Sequence, residues 1–239
     1  MKEYASATRH LIRVTFLFGC GIFPALSECT RESSATGPSL ETLPLLEQPN
    51  VSVSAIGFHQ KGRHLELAAI LINGSMRLDA CEPTVTLVAM SDQGEIVTQR
   101  TRQMSSIPAG ATIATSMVLD LDSDVQVARI DAYVGFPDAA ISSARTIGTL
   151  HTRVIAVRIQ PSGEVFITGE ILPHRAYPVP YRLDLALLDE RGKIVGSARS
   201  DNLRPQKEQS TAFTAVGLAT PGADTPRLRT IVTLTPDSD

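Results

Sequence analysis

The chain reads VTLVAMSDQGEIV at residues 85–97 and LDLALLDERGKIV at residues 183–195. In both stretches apolar residues recur at every second position, a period typical of a β-strand that buries one face. Each apolar run ends in a short polar segment that contains a glycine, Gly94 or Gly192, and a second apolar run follows. Glycine supplies the positive φ that a tight hairpin turn requires. The two stretches therefore predict two β-hairpins that are copies of each other.

The match extends beyond these hairpins. Residues 53–58 align with 154–159, and residues 65–71 align with 165–171. A self-match at a shift of about 100 residues is the sequence signature of a duplicated domain. Alternating runs bounded by Gly, Pro, Asp or Asn predict about seven strands per copy, as in an immunoglobulin-like domain. We therefore expect an all-β protein built from two tandem immunoglobulin-like antiparallel β-sandwiches.

The amino terminus has the pattern of an export signal. A basic start precedes the apolar run 14–26, which is shorter than the roughly 20 apolar residues that cross a bilayer. Small residues favour cleavage after Ser27, which predicts a periplasmic or secreted protein. A competing interpretation takes LFGC at 17–20 as a lipoprotein signal. Cys20 would then carry a lipid, and this anchor would be the membrane contact of an inner-membrane or outer-membrane lipoprotein.

These patterns divide the chain into five segments. A stretch rich in Ser, Thr, Gly and Pro without periodicity predicts a flexible spacer between the export signal and the first sandwich. We expect a signal peptide at 1–27, the spacer at 28–50, a first sandwich at 51–137, a linker at 138–151 and a second sandwich at 152–236.

Composition narrows the classes of function. The formal net charge is −3 and basic residues do not cluster, whereas nucleic-acid binding requires a basic surface. Aromatic residues make up 5% of the chain and Trp is absent, so the predicted cores are aliphatic. Outside the cytoplasm thiols tend to oxidise. Cys29 and Cys81 therefore either form a disulfide or remain separate thiols, and the sequence leaves both readings open.

The second copy carries a pattern known from bacterial envelope proteins. It comprises Val165, Gly169 and Ile171, then the hairpin at 183–196, and finally Leu203, Pro205 and Phe213. This pattern resembles the FxLYD-type domains and related immunoglobulin-like sandwiches. The first copy departs from it, with Ala69 where the second copy has Gly169. The resemblance implies a non-catalytic accessory or binding module outside the cytoplasmic membrane, acting through contacts with an envelope protein.

Motifs that would indicate catalysis or a cofactor are absent from the sequence: it has no nucleophile elbow, zinc-protease helix, Walker loop or dinucleotide fingerprint. We therefore expect neither an enzyme nor a cofactor or resident metal. One alternative is a periplasmic metal-binding protein that uses His59, His64 and the acidic run 120–124. A less favoured alternative is a hydrolase with an interdomain site near His151 and His174.

One candidate partner surface lies in the second copy, where residues 173–181 read PHRAYPVPY. Alternating Tyr and Pro form a stiff amphipathic segment that docks a partner at low entropic cost. Tyr177 and Tyr181 are its candidate contacts. Proline also blocks strand addition at a sheet edge, so protection of an edge is the competing reading.

A second candidate surface lies in the first copy at residues 73–81, which contain no proline and few charges. An open strand there would accept an extended partner segment through main-chain hydrogen bonds. The candidate contacts are Asn73, Met76 and Leu78. We therefore expect the first sandwich to engage the partner and the second to serve as a spacer or an anchor.

Overall fold

The structure is a computed structural model that describes residues 49–104, 106–136, 141–143, 151–173, 180–206 and 208–236. The strands of the first half are β1 (Val51–Lys61), β2 (His64–Asn73), β3 (Leu78–Cys81), β4 (Thr84–Met90), β5 (Ile96–Gln103), β6 (Ser106–Ile107), β7 (Thr112–Asp120), β8 (Arg129–Gly135) and β9 (Ile141–Ser143). Every strand pair in this half is antiparallel.

The second half contains β10 (Thr152–Ile159), β11 (Glu164–Ile171), β12 (Tyr181–Leu188), β13 (Ile194–Leu203), β14 (Thr211–Ala219) and β15 (Arg229–Pro236). Among the described residues the helical structure consists of one 3-10 turn, Thr225–Arg227. The predicted all-β antiparallel fold is therefore confirmed. No helix of the described residues is long and apolar enough to cross a membrane.

The first sandwich pairs the sheet β1-β2-β7 with the sheet β5-β4-β8, and a small sheet β6-β3-β9 joins them. Between the two main sheets lies an aliphatic core formed by alternate residues, such as Leu65 and Leu67 of β2 with Val85 and Leu87 of β4. All four side chains are fully buried. The alternation in the sequence therefore specifies which face of each strand packs inward.

The second sandwich is a single sheet of order β10-β11-β14-β13-β12-β15. It folds over its own core, because β13 hydrogen-bonds to β14 only through Gly196–Arg199 before the two strands separate. The core contains Val165, Ile167, Leu183 and Leu185. In the first sandwich the corresponding strands β5 and β7 belong to two separate sheets.

The two halves share an antiparallel hairpin with the same kind of β-bulge. A β-bulge interrupts β1 between Val53 and Ala55, and another interrupts β10 between Val154 and Ala156. The register pairs Ile70 and Thr168 with the residues after the two bulges, so residues 65–71 correspond to 163–169 and not to the predicted 165–171. The predicted turn glycines are also confirmed, with φ of 83° at Gly94 and 77° at Gly192. The strand number differs from the expected seven, since the described residues hold nine strands in one half and six in the other.

The strands β3, β6 and β9 account for the difference between nine strands and six. β9 lies within residues 138–151, where the sequence predicts a linker, and it pairs with β3. This segment therefore extends the first sandwich beyond the expected boundary. The predicted signal peptide and nearly all of the predicted spacer lie outside the described residues.

Sheet β1-β2-β7 is covered on both faces. One face packs on the core of the first sandwich, and the other packs on the outer face of β13-β12-β15. Strand β2 is consequently buried without interruption from Leu65 to Leu71. The molecule thus stacks its sheets in the order β5-β4-β8, β1-β2-β7, β13-β12-β15 and β10-β11-β14.

Candidate functional site

The two sandwiches meet at an interface that we call the seam. Its apolar part is a buried cluster of small and aliphatic side chains: Ala68, Ile70, Ala114, Ala186, Leu188 and Ile194. The first three belong to β2 and β7, and the last three belong to β12 and β13. Burial of this apolar surface favours the docked arrangement at about 25 cal/mol per Å².

A glycine permits the closest approach across the seam. A Cβ atom at Gly57 of β1 would lie 2.7 Å from Cβ and 2.9 Å from Cγ2 of Ile194. Contacts this short are not tolerated between carbon atoms. Strands β1 and β13 can therefore pack at this distance only because residue 57 has no side chain.

Glu66 of the first sandwich inserts its carboxylate into the second. The backbone N–H of Leu218 donates to Oε2 over 2.9 Å, and the Ser197 hydroxyl donates to the same oxygen over 3.0 Å. Glu66 is only 4% exposed. Burial raises the pKa of Glu66, while these hydrogen bonds and the nearby His64 partly offset the effect. The carboxylate therefore occupies a site that the second sandwich provides.

Asp184 of β12 makes the reciprocal insertion into the first sandwich. Its Oδ1 accepts a hydrogen bond from the Ser116 hydroxyl at 2.7 Å, and its Oδ2 lies 2.7 Å from a guanidinium nitrogen of Arg102. Asp184 is fully buried. Burial raises the pKa of Asp184, and the Arg102 charge opposes that shift. Each sandwich thus donates one carboxylate to the other.

Side chains hydrogen-bond to the backbone groups at the outer edge of β7. The backbone N–H of Ala114 donates to the hydroxyl of Thr233 in β15 over 2.7 Å. On the same strand the carbonyl of Ser116 accepts from Arg102 at 3.4 Å. Buried backbone groups without partners cost about 1–3 kcal/mol each. These side chains therefore replace the neighbouring strand that β7 lacks.

Beside the seam lies a cleft of about 490 Å³ that both sandwiches line. Its apolar part comprises Val118 together with Val216 and Leu218. The charged residues around it are Lys61, His64, Glu66, Glu164, Arg199 and Asp201. The cleft therefore combines an apolar floor with charges of both signs.

Most charges around the cleft are paired. Lys61 Nζ of β1 lies 2.9 Å from Glu164 Oε1 of β11, which joins the two sandwiches across the mouth. A hydrogen bond from Lys61, together with its charge, lowers the pKa of Glu164. His64 links two carboxylates, with Nδ1 3.2 Å from Asp120 and Nε2 3.6 Å from Glu66. The exposed Lys61–Glu164 and His64–Asp120 pairs suit recognition of a polar segment, whose charged groups can exchange with them.

The structure places the predicted contacts of the first copy differently from the expectation. Strand β3 lies between β6 and β9, so the expected open edge at residues 73–81 is wrong. Asn73 is fully buried, and its amide donates to the carbonyls of Leu78 and Ile107. Met76 is 82% exposed. Leu78 is half-buried at the start of β3, so Met76 is the most exposed of the three candidates.

Tyr181 of the second copy is only 3% exposed, because it begins β12 and packs inward. It therefore cannot act as the surface contact that the sequence suggested. Tyr177 lies outside the described residues, as do Cys20 and Cys29. Cys81 is half-buried at the end of β3. The disulfide and the lipid anchor thus remain predictions.

The predicted metal-ligating residues do not converge. His59 pairs with Glu66 in the β1–β2 ladder, whereas His64 pairs with Lys61. Among the described residues, no group of three or more His, Cys, Asp or Glu side chains is arranged to hold a metal ion. In the acidic run 120–124, Asp120 contacts His64, while Asp122 and Asp124 are exposed.

The hydrolase alternative located its site near His151 and His174. His151 is exposed, and His174 lies outside the described residues. The cleft between the sandwiches instead involves His64, with Asp120 at its side. His59 lies at the seam, where burial and to a smaller extent the charge of Lys193 lower its pKa to about 4.

Glu66 and Asp184 are the residues that the sequence analysis missed. The sequences of β2 and β12 do indicate these residues. Ala68 lies on the same outer face of β2 as Glu66, and Ala186 lies on the same outer face of β12 as Asp184. Apolar residues on both faces of a strand indicate burial on both faces. A single carboxylate within such a strand then has to be paired.

Comparison with known proteins adds little to this picture. A red sea bream transglutaminase structure matches at 13% sequence identity with a TM-score of 0.23, over 80% of this chain and 31% of the transglutaminase. A likeness at this level carries no argument about function. No family model and no curated protein matches the sequence.

Proposed function

We propose that the chain is a non-catalytic binding or assembly module of the bacterial cell envelope that recognises a protein partner in the cleft between its two sandwiches. The observation that carries the proposal is the reciprocal insertion of Glu66 and Asp184. Because each carboxylate is bonded within the other sandwich, the relative orientation of the two is fixed. A partner then meets one composite surface.

The chemistry of the cleft supports a protein partner. Interfaces bury an apolar centre within a polar rim. Val118, Val216 and Leu218 supply such a centre, and the Lys61–Glu164 pair lies at the rim. An extended partner segment with an apolar side chain between polar ones fits this pattern. The export signal predicted at 1–27 supports an envelope location.

Site-specific photo-crosslinking in the producing cell tests the proposal. A photoreactive residue at Asp201 lies at the cleft, and one at exposed Met76 probes the first sandwich far from it. Gln93, in the exposed β4–β5 turn, serves as the control position. We expect one envelope protein to be captured from Asp201 and not from Gln93.

Three results would count against this function. Capture from Met76 alone would move the partner site to the first sandwich. Equal capture from Asp201 and Gln93 would indicate unspecific contact. Recovery of the protein from the cytosol in cell fractionation would contradict the envelope location.

A further inference from the structure

Three arginines surround the buried carboxylate of Asp184 at the seam. A guanidinium nitrogen of Arg102 lies 2.7 Å from Oδ2 of Asp184, and Nε of Arg182 lies 3.7 Å from the same oxygen. The strand register places Arg199 of β13 directly beside Asp184. We call Arg102, Arg182 and Arg199 the arginine cluster. Because Arg102 belongs to the first sandwich and the other two belong to the second, the cluster is complete only when the sandwiches dock.

Arg182 is the member of the cluster whose hydrogen-bonding capacity is unused. Its side chain is only 21% exposed, and its buried Nε atom has no hydrogen-bond partner among the described residues. The nearest acceptor, Oδ2 of Asp184, is bonded to Arg102, and 3.7 Å is too long for a hydrogen bond to Arg182. A largely buried guanidinium without acceptors carries a desolvation cost that no contact offsets. An acceptor that binds from outside would remove that cost.

The charges at the cluster do not balance. In the described ion pairs its three guanidiniums meet two carboxylates, Asp184 and Asp201, the second of which lies 3.2 Å from Arg199. One positive charge is left over, in a chain whose formal net charge is −3. A guanidinium presents paired N–H donors that match the two oxygens of a carboxylate. One singly charged carboxylate balances the cluster, whereas a doubly charged phosphate would exceed the surplus and be repelled by Asp184.

The cluster is continuous with the cleft beside the seam. Arg199 and Asp201 both line the cleft. Arg199 is the cross-strand neighbour of Asp184, and Arg182 lies two residues from Asp184 on β12. A segment that occupies the cleft and extends past Arg199 therefore comes within reach of Arg182.

We propose that the arginine cluster binds the carboxylate of an acidic side chain in an extended peptide segment, with Arg182 as the main contact. The carboxylate supplies the acceptors that Arg182 lacks and the negative charge that the cluster lacks. This inference deepens the proposed function and rests on it for the source of the carboxylate. The site itself is tested without an envelope partner.

An NMR titration of the purified protein tests the site. The probe is the blocked tripeptide acetyl-Ala-Asp-Ala-amide, and its uncharged control is acetyl-Ala-Asn-Ala-amide, both at a constant ionic strength of about 0.15 M. The side-chain Nε–H signal of Arg182, identified by its absence from the Arg182→Met variant, reports binding. We expect it to shift saturably with the aspartate peptide, at a Kd of about 10 mM or below, and the asparagine peptide to bind at least about tenfold more weakly.

Arg182→Met separates binding from a structural role. Methionine has a similar length and no charge, so we expect the affinity for the aspartate peptide, followed on the backbone amide signals of β12 and β13, to fall at least about tenfold. The urea midpoint of the variant should equal or exceed that of the wild type, because a largely buried charge without acceptors is removed. Arg191→Met, in the exposed turn at the opposite end of β12 and β13, removes the same charge and should bind like the wild type.

Several results would overturn the proposal. One is an Arg182 signal that stays unchanged up to about 50 mM aspartate peptide, or that moves equally with the asparagine peptide. Tighter binding of inorganic phosphate would identify a site for a doubly charged anion. A lower urea midpoint for Arg182→Met would show that Arg182 supports the fold. Peptide binding that appears only in an Asp237→Asn, Asp239→Asn double variant would show that the chain's own carboxylates fill the site. Each of these results leaves photo-crosslinking at the cleft, and with it the proposed function, undecided.

Discussion

Glu66 offers the sharpest perturbation of the seam. In a Glu66→Ala variant the Leu218 N–H and the Ser197 hydroxyl lose their acceptor in a buried site. Each unsatisfied buried group costs about 1–3 kcal/mol. Burial raises the pKa of Glu66, which means that the buried carboxylate carries a desolvation penalty. The alanine variant no longer has this penalty, and this offsets part of the loss. We therefore expect the free energy of unfolding to fall by about 2–4 kcal/mol.

The replacement Glu66→Gln separates hydrogen bonding from charge. The glutamine oxygen can still accept from the Leu218 N–H, and no charge needs to be buried. We expect the free energy of unfolding to change by less than about 1 kcal/mol, or to rise. Glu164→Ala is the matched control, because this glutamate contacts Lys61 at the exposed mouth of the cleft. An exposed ion pair contributes about 0–1 kcal/mol.

Urea unfolding at pH 7, followed by circular dichroism, measures all three variants. The expected order of stability is Glu66→Gln near the wild type, Glu164→Ala close behind and Glu66→Ala far below. If the free energy of unfolding of Glu66→Ala lay within about 0.5 kcal/mol of the wild-type value, the hydrogen bonds to Glu66 would not stabilise the seam. If Glu66→Gln were as destabilised as Glu66→Ala, charge rather than hydrogen bonding would hold the seam.

Three further predictions concern the same interface. Asp184→Ala removes the carboxylate that pairs with the Arg102 guanidinium, which is 11% exposed. We expect urea unfolding to show that the free energy of unfolding falls by about 3–5 kcal/mol. A fall below about 1 kcal/mol would contradict this expectation. Gly57→Ala forces a Cβ against Ile194. We expect the free energy of unfolding to fall by about 1–3 kcal/mol in the same assay. An unchanged unfolding midpoint would show that β1 and β13 are not in close contact. The folded-state pKa of His59 is about 4, below its ordinary value of 6.5. Between these pH values the unfolded chain therefore binds more protons than the folded chain. The stability that neutral His59 contributes is consequently lost as the pH falls from 6.5 to 4. In His59→Gln, urea unfolding across that range should show a weaker decline in stability on acidification than in the wild type, and an identical pH profile would refute the assignment.

Much of the fold follows from local patterns in the sequence. The alternation at residues 85–97 and 183–195 gives strand identity and inward faces, and Gly94 and Gly192 mark the hairpins, because these features depend on neighbouring residues. The pairing of β3 with β9 was missed, since residues 141–143 are too short to show a period. A polar stretch such as 73–81 looks open until its partner strands are known.

The site could not be derived in the same way. Leu218 and Ser197 reach Glu66 from 152 and 131 residues away in the chain, so the contact depends on how two complete sandwiches dock. Sequence alternation indicates that β2 and β12 are buried on both faces, but it does not say what covers the second face. The covering surface is determined by how well the two sheet faces fit each other, and the missing side chain at Gly57 is part of that fit.

The seam fixes the two sandwiches as one body, which makes the cleft a composite site. Backbone residual dipolar couplings of the protein in a weakly aligning medium test this arrangement directly. We expect a single alignment tensor to fit the couplings of residues 51–136 and 152–236 together. Two tensors of clearly different magnitude would show that the sandwiches reorient independently and that the seam does not hold them as one body.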